Sequence, residues 1–366
     1  MKATIRITVP WGNRTRWLAL LAMMVCLSAC VGPGLRPGPR EPAPDPYFNH
    51  LFNRTGNGWT GGDGTLSVAL ADGRTLWLFG DSFLGTVNPD GTRPEETPLV
   101  RNCIVIQHGE TLTTRTGGCP ADPEAFFPPL PPGQWCWPAD ATVQNEKVLI
   151  LLHSFRQGRP RLWDWQWTGT AVAELGLPQL HIERITPLAV ANNVMYGAIL
   201  ERAEATYIFG VEERGSARWM HVARAPPGDF LGPWAFFDGK GWSPDPAATR
   251  PVLNGVSTQF AVVALADGLA LVTMDNRVPF GADLVMYRAA APRGPWRGPC
   301  RLYHAPEADG ELVAYNPFIH PQFTAAGRLL VSYNLNHVSD PTALYRNATI
   351  YRPRFVRIDS TACPAP

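Results

Sequence analysis

Two aspartates stand at the open end of one short segment. Residues 58–85 read GWTGGDGTLSVALADGRTLWLFGDSFLG, in which Asp63 and Asp81 flank two apolar runs joined at Asp72-Gly73. An Asp-Gly pair between such runs predicts a β-hairpin, because a two-residue turn needs positive φ at its central positions. With Ala71 opposite Arg74, the register sets Asp63 against Ser82 and Gly64 against Asp81. The two carboxylates are then diagonal neighbours, about 7–8 Å apart. A carboxyl pair at that spacing can cleave a glycosidic bond. One group stays protonated to donate to the leaving oxygen, while the other is ionised to activate water or attack the sugar. A regular ladder would point the two to opposite faces. Gly61, Gly62, Gly64 and Gly80 flank both positions, however, and glycines inside strands mark bulges that re-aim side chains. In a plainer role both aspartates would cap turns.

The elements that position this pair recur along the chain. VALADG stands at 68–73 and again at 263–268, each time followed by a second apolar run. Aligning the two places Gln259 near Asp63 and Asp275 near Asp81, with one residue fewer on each side of the turn. A third copy, 316–336, has Gly327 in its turn, His320 near the leading position and Asn334 near the trailing one. Fainter copies cover 137–155, led by Asp140, and 184–201, with Asn192-Asn193 as the turn and a leading position near Thr186. Hairpins at about 60-residue spacing, with almost no helix-period stretches between them, predict an all-β, five-bladed β-propeller. Gly232-Pro233-Trp234 and Gly294-Pro295-Trp296 fall late in their units, where outer strands and turns belong. A two-sheet sandwich also has many short strands, but it does not require one hairpin at near-constant spacing. In a propeller the leading ends of the inner strands meet on one face. The candidate site is therefore a pocket holding Asp63, Asp81, Asp140, Gln259, Asp275, Asn316 and His320, with Trp59, Phe83 and Trp137 as aromatic walls.

The first thirty residues read as a leader. Lys2, Arg6, Arg14 and Arg16 precede the apolar stretch from Leu18 to Leu27, and LSAC ends at Cys30. This resembles a bacterial lipobox, which implies that Cys30 is lipidated and tethers the chain to a membrane. Val31 after the cysteine resembles outer-membrane sorting in a cell with two membranes. Residues 31–46, VGPGLRPGPREPAPDP, are too rich in proline and glycine to build a core and predict a stalk, so the folded domain, expected to be a monomer, is placed at 47–366. A net charge of +1 with 17% charged residues carries no footprint for nucleic acid. Thirteen tryptophans suit stacking on sugar rings as well as core packing.

Of the cysteines after the leader, Cys103 with Cys119 and Cys300 with Cys363 are the expected disulfides, leaving Cys136 as a buried thiol. No spacing of Cys or His fits zinc, and no cofactor motif occurs. A structural calcium ion beside His320 stays open.

With the repeats and the TGGDG and FGDSF segments in view, the chain resembles the five-bladed-propeller glycoside hydrolases that include the endo-D-arabinofuranases. The likeness is densest over 58–85, with support from WPAD at 137–140 and from HPQF and LLVSYN between 320 and 334. It implies that Asp63 and Asp81 are the catalytic acids and that the ligand is a polysaccharide or oligosaccharide. Gln259 stands where related propellers carry an acid, a departure that implies altered specificity or loss of activity. Asp81, which follows the apolar LWLF run, is expected to be the more desolvated and so the general acid, with Asp63 as base or nucleophile; the reverse assignment stays open. Asp140 would tune pKa or bind a hydroxyl, and Asn316 and His320 would bind sugar hydroxyls. A non-catalytic glycan-binding lipoprotein and an envelope scaffold are the alternatives, since a fold does not fix its function.

Overall fold

In this computed structural model, residues 39–366 are described apart from Leu130 and 160–162. The leader, Cys30 and the first half of the expected stalk, residues 31–38, lie outside the described residues.

Strands dominate the regular structure of the described residues, with only two short α-helices and two 3-10 turns beside them, and every strand pairing among them is antiparallel. Of seven sheets among the described residues, five larger ones follow one another in sequence, each ordered from its first strand; a three-stranded sheet of Trp59–Gly62, Ser82–Leu84 and Leu99–Val100 and a two-stranded hairpin of Gly117–Cys119 and Asp122–Glu124 accompany the first. The first comprises Leu66–Ala69, Thr75–Phe79, Cys103–His108 and Thr111–Arg115. The second comprises Gln134–Gln144, Lys147–Gln157, Trp165–Gly176 and His181–Pro187. The third runs from Val194–Arg202 through Ala205–Arg214 and Ala217–Ala225 to the short strand Ala235–Phe237. The fourth comprises Ala261–Leu265, Gly268–Met274, Asp283–Ala289 and Arg297–His304. The fifth has Leu312–Ile319, Arg328–His337 and Arg354–Asp359, and its outermost strand is Ala43–Pro44 from the beginning of the domain. That pairing ties the two ends of the domain together. The fold therefore takes up the last residues of the segment expected to be a stalk, and begins before Tyr47.

Innermost strands of successive sheets lie side by side. The first and fifth sheets are joined by side chains: Ser67 Oγ meets His320 Nδ1 at 2.6 Å, and Thr65 Oγ1 donates to Asn334 Oδ1 at 3.4 Å. Second strands such as Thr75–Phe79 are buried along their whole length, because a sheet packed between two others has no solvent face. This explains why TLWLF, KVLILLHS and GLALVTM read as continuous apolar runs rather than as alternation.

Three sequence expectations about the repeats need correction. In the first hairpin Ala69 pairs with Thr75 and Leu66 with Leu78, so Ala71, Asp72 and Gly73 form a three-residue loop. The register is one residue away from the expected one. Second, Asn192 and Asn193, both at positive φ, connect the second sheet to the third and do not turn a hairpin. Thr186 accordingly sits on an outermost strand. Third, the short 3-10 turn Pro321–Phe323 lengthens the last repeat, so His320 follows the far end of its inner strand. By contrast, Asn145-Glu146, both at positive φ, turn the second sheet's hairpin between Gln144 and Lys147.

Cys300 and Cys363 form the expected disulfide. Cys103 and Cys119 do not pair. Cys103 is buried with its thiol 3.4 Å from Ser82 Oγ, whereas Cys119 is exposed on a separate small hairpin, so nearness in sequence does not face the two sulfurs. Cys136 is a free buried thiol, and burial pushes it up to about 12.

Candidate functional site

Gly62 opposite Ser82 and Leu66 opposite Leu78 bracket an interruption of three residues on each strand. Within it the Asp63 N–H donates to the Asp81 carbonyl at 3.3 Å, and the Gly80 N–H donates to the Asp63 carbonyl at 2.8 Å. The one-residue shift thus sets the aspartates opposite each other instead of diagonally, and both open into one cavity. Gly80 is required by space. A Cβ there would lie 2.6 Å from Asp63 Oδ1 and 3.3 Å from the Trp137 ring, where the carboxylate and the indole come together.

The two carboxyl groups have different surroundings. Asp63 Oδ2 accepts from the Tyr315 hydroxyl at 2.8 Å, and the Tyr351 hydroxyl also donates to this carboxyl; no cation among the described residues pairs with it. Enclosure by protein, and next the charge of Asp81, push its pKa up to about 7 against those two phenols. Asp81 Oδ1 accepts from Trp137 Nε1 at 2.8 Å, and its Oδ2 accepts from Arg101 at 2.9 Å. Enclosure raises its pKa as well, but the Arg101 charge and the indole bond work against that rise. Half of the Arg101 side chain is exposed, and its guanidinium lies 4.5 Å over the Trp135 ring. With no cation among the described residues beside it, Asp63 has the stronger physical reason to hold a proton, which favours the assignment that the sequence left open as the reverse of its first choice. An apolar run before a residue does not fix its pKa when a cation from another strand is in contact.

The cavity holds about 1190 Å³ and is lined by the leading ends of the inner strands. Of the expected residues, Asp63, Asp81, Phe83, Trp137, Gln259, Asp275 and Asn316 line it. Phe83 is nearly buried, with the Arg93 guanidinium 4.5 Å over its ring. Gln259 Nε2 has no hydrogen-bond partner among the described residues. Asp275 is clasped by Arg277 through two bonds of 2.8 and 2.7 Å, which hold its pKa low.

Three expected site residues lie elsewhere. Trp59 is fully buried against Phe52 and Phe79 in the core of the first sheet. Both oxygens of Asp140 are taken by backbone, accepting from Ala141 N–H at 2.7 Å and from Ile199 N–H at 2.6 Å, so it fastens the second sheet to the third. Burial raises its pKa to about 7, but it does not face the cavity. His320 is fully buried between Ser67 Oγ and Ser332 Oγ, at 2.6 and 2.9 Å, and burial lowers its pKa to about 3. With both ring nitrogens taken, it is a core histidine with no position free for calcium. Among the described residues no group of three or more His, Cys, Asp or Glu is placed to hold a metal ion.

The structure adds residues that the sequence reading missed. Arg101, Tyr315 and Tyr351 come from three separate segments, so no local spacing points to them. Trp165 and Trp167 carry a signal that was readable: WQW, like Trp135-Cys136-Trp137, repeats an aromatic at the strand period of two.

No curated protein matches the chain. Among solved structures it is similar to a candidate hydrolase from Bacteroides ovatus, at 23% identity and a TM-score of 0.74, covering 87% of this chain and 90% of that one. It is also similar to an endo-arabinase from Bacteroides thetaiotaomicron, at 12% identity and a TM-score of 0.48, covering 83% and 97% of the two chains. An α-L-arabinofuranosidase from Podospora anserina follows, at 12% identity and a TM-score of 0.47, covering 84% and 93%. The first of these likenesses extends the fold to a second protein. Residues 45–360 match one family along almost the whole folded domain, and the chain belongs to that family, described as a domain of unknown function, DUF5005.

Proposed function

We propose that the protein is a glycoside hydrolase built on a five-bladed β-propeller, tethered to the cell envelope through Cys30 and acting as a monomer on a bacterial polysaccharide, with arabinofuranoside-containing glycans first among the candidates. The observation that carries the proposal is the unequal carboxyl pair at the floor of a large, aromatic-lined cavity. Asp63, raised to about 7, is the general acid, and Asp81, held toward its ionised form by Arg101, is the base or nucleophile. Adjacent carboxylates that ionise at different pH supply the asymmetry that glycosidic cleavage needs. Tyr315 and Tyr351 orient Asp63, as Trp137 and Arg101 orient Asp81.

The test is reducing-end release by purified mature protein from arabinans, galactans and cell-wall glycans, repeated with Asp63→Asn and Asp81→Asn. The reading expects turnover on at least one glycan, lost in both variants while glycan affinity is kept. Binding without turnover in the unaltered protein would make it a glycan-binding lipoprotein instead.

A further inference from the structure

The second sheet presents an aromatic face of which the cleavage chemistry uses only Trp137. Cross-strand pairing sets Trp135 opposite Phe155 and Phe155 opposite Trp167, while Gln157 faces Trp165. Because side chains alternate along a strand, Trp135 and Trp137, Phe155, and Trp165 and Trp167 all project from one face. The rings form a continuous path. Trp137, whose indole N–H holds Asp81, lies 4.7 Å from the Phe155 ring and 5.2 Å from Trp165, and Trp165 lies 5.2 Å from Trp163. The path runs from the carboxyl pair to the cavity mouth, where Trp163 and Trp165 are each 37% exposed.

Core packing does not account for this arrangement, since a ring that serves only the core has no reason to keep a third of its surface in water. Of the seven large hydrophobic side chains exposed among the described residues, five line this one cavity: Leu99, Trp163, Trp165, Val278 and Phe280. Such concentration of apolar surface marks a binding face. Trp163 also adopts φ +68°, a conformation that bulky residues rarely take, and its indole N–H donates at 2.8 Å to the carbonyl of Val338, the residue just after the fifth sheet's strand Arg328–His337. The ring is thus fixed at the mouth. The arginines that line the cavity are each paired with a carboxylate, Arg101 with Asp81, Arg277 with Asp275 and Arg218 with Glu213, so among the described residues the lining offers no unpaired arginine to an acidic polymer.

We propose that this aromatic path is a row of subsites for successive sugar residues of a neutral glycan chain, leading outward from the cleavage point at Asp63 and Asp81. The ligand is consequently a chain of several residues and not a mono- or disaccharide. The inference rests on the hydrolase reading for the place of cleavage but not for the binding itself.

The probes are oligosaccharide ladders of two to six residues prepared from arabinan, galactan and β-glucan, with binding read by tryptophan fluorescence and calorimetry on the full mature protein. Affinity for one ladder is expected to climb at least tenfold from two residues to five. Trp165→Ala should flatten that climb, costing a five-residue ligand at least tenfold and a two-residue ligand much less, while Trp165→Phe restores part of it. Trp163 and Trp165 are partly exposed, so their variants are expected to fold, and an unchanged Tm verifies this. Affinity independent of length, equal losses for short and long ligands, or no binding from any ladder would each overturn the proposal. Length-dependent binding without turnover would leave it standing and remove the hydrolase reading. Turnover without length dependence would do the opposite.

Discussion

The same six letters, VALADG, make two different hairpins. At 68–73 the strands leave Leu70 bonded to Arg74 around a three-residue loop, whereas at 263–268 Leu265 pairs with Gly268 around a two-residue loop. The difference comes from outside the hexapeptide. In the first copy Asp72 is held locally by the backbone and guanidinium of Arg74. In the second, Asp267 is held by Arg288, a buried residue of the adjacent strand that also donates to the Leu269 carbonyl at 3.1 Å. Arg288 stands opposite Ala270, and the matching position in the first sheet, opposite Leu76, is Ile106, which has nothing to offer a turn carboxylate. A tertiary partner, not the local letters, selects the turn. The open ends then diverge in chemistry. Asp63 and Asp81 face each other with only one cation between them, while the second copy has Gln259 and an aspartate neutralised by Arg277. One hairpin keeps an acid that can change its proton near neutrality, and its twin does not.

The largest expected effect separates these ends. Asp63→Asn or Asp81→Asn should lower kcat/KM by about 10²–10⁴, the usual share of general acid-base catalysis, while Gln259→Ala or Asp275→Asn should cost less than about tenfold. Equal losses at both hairpins would erase the distinction.

Arg101 sharpens it next. Its charge opposes the raised pKa of Asp81, so Arg101→Ala should let that pKa rise further and move the acidic limb of the pH-rate profile upward, and Arg101→Lys should return part of the shift. An unmoved limb would show that Arg101 does not set the charge on Asp81.

The turns can be compared through their glycines. Gly73 sits at φ +85° with open space around it, so Gly73→Ala should cost about 1–2 kcal/mol from conformation alone. Gly268, at φ +132°, would bring a Cβ within 2.8 Å of the Ala289 carbonyl oxygen, so Gly268→Ala should lower Tm distinctly more. Equal Tm losses would contradict the two-register description.

Stability against pH also separates the two acids, with opposite signs. Asp63 has its pKa raised from 3.8 to about 7, so its ionisation opposes folding increasingly as pH climbs through that window. Asp63→Asn should therefore gain Tm relative to the unaltered protein between about pH 4 and 7. Asp275 has its pKa lowered by Arg277, and it stabilises above its unfolded value and loses that contribution as pH falls. Asp275→Asn should thus be the less stable protein above about pH 4, by under about 1 kcal/mol because Arg277 is half exposed, with the gap closing in acid.

Much of this was legible in the sequence. Asp63 and Asp81 could be paired because the hairpin is local, and Trp137, Gln259, Asp275 and Asn316 could be placed in the cavity from repeat spacing. The errors have physical causes. Asp140 lies in a strand and His320 just after one, and sequence does not show that a backbone N–H of the next sheet, or two serines, already satisfy them. Trp59 reads like a cavity aromatic because it is only four residues from Asp63, yet it turns into the core. Arg101, Tyr315 and Tyr351, which set the character of the two acids, reach them from segments far apart in the chain, beyond any motif.

The most direct test of the account is the pH dependence of kcat/KM on the best polysaccharide substrate. The account predicts a bell with a descending limb near pH 7 as Asp63 loses its proton, and near-complete loss of rate at every pH in Asp63→Asn. A rate flat from pH 5 to 9, or an Asp63→Asn protein that keeps both its rate and that limb, would contradict it.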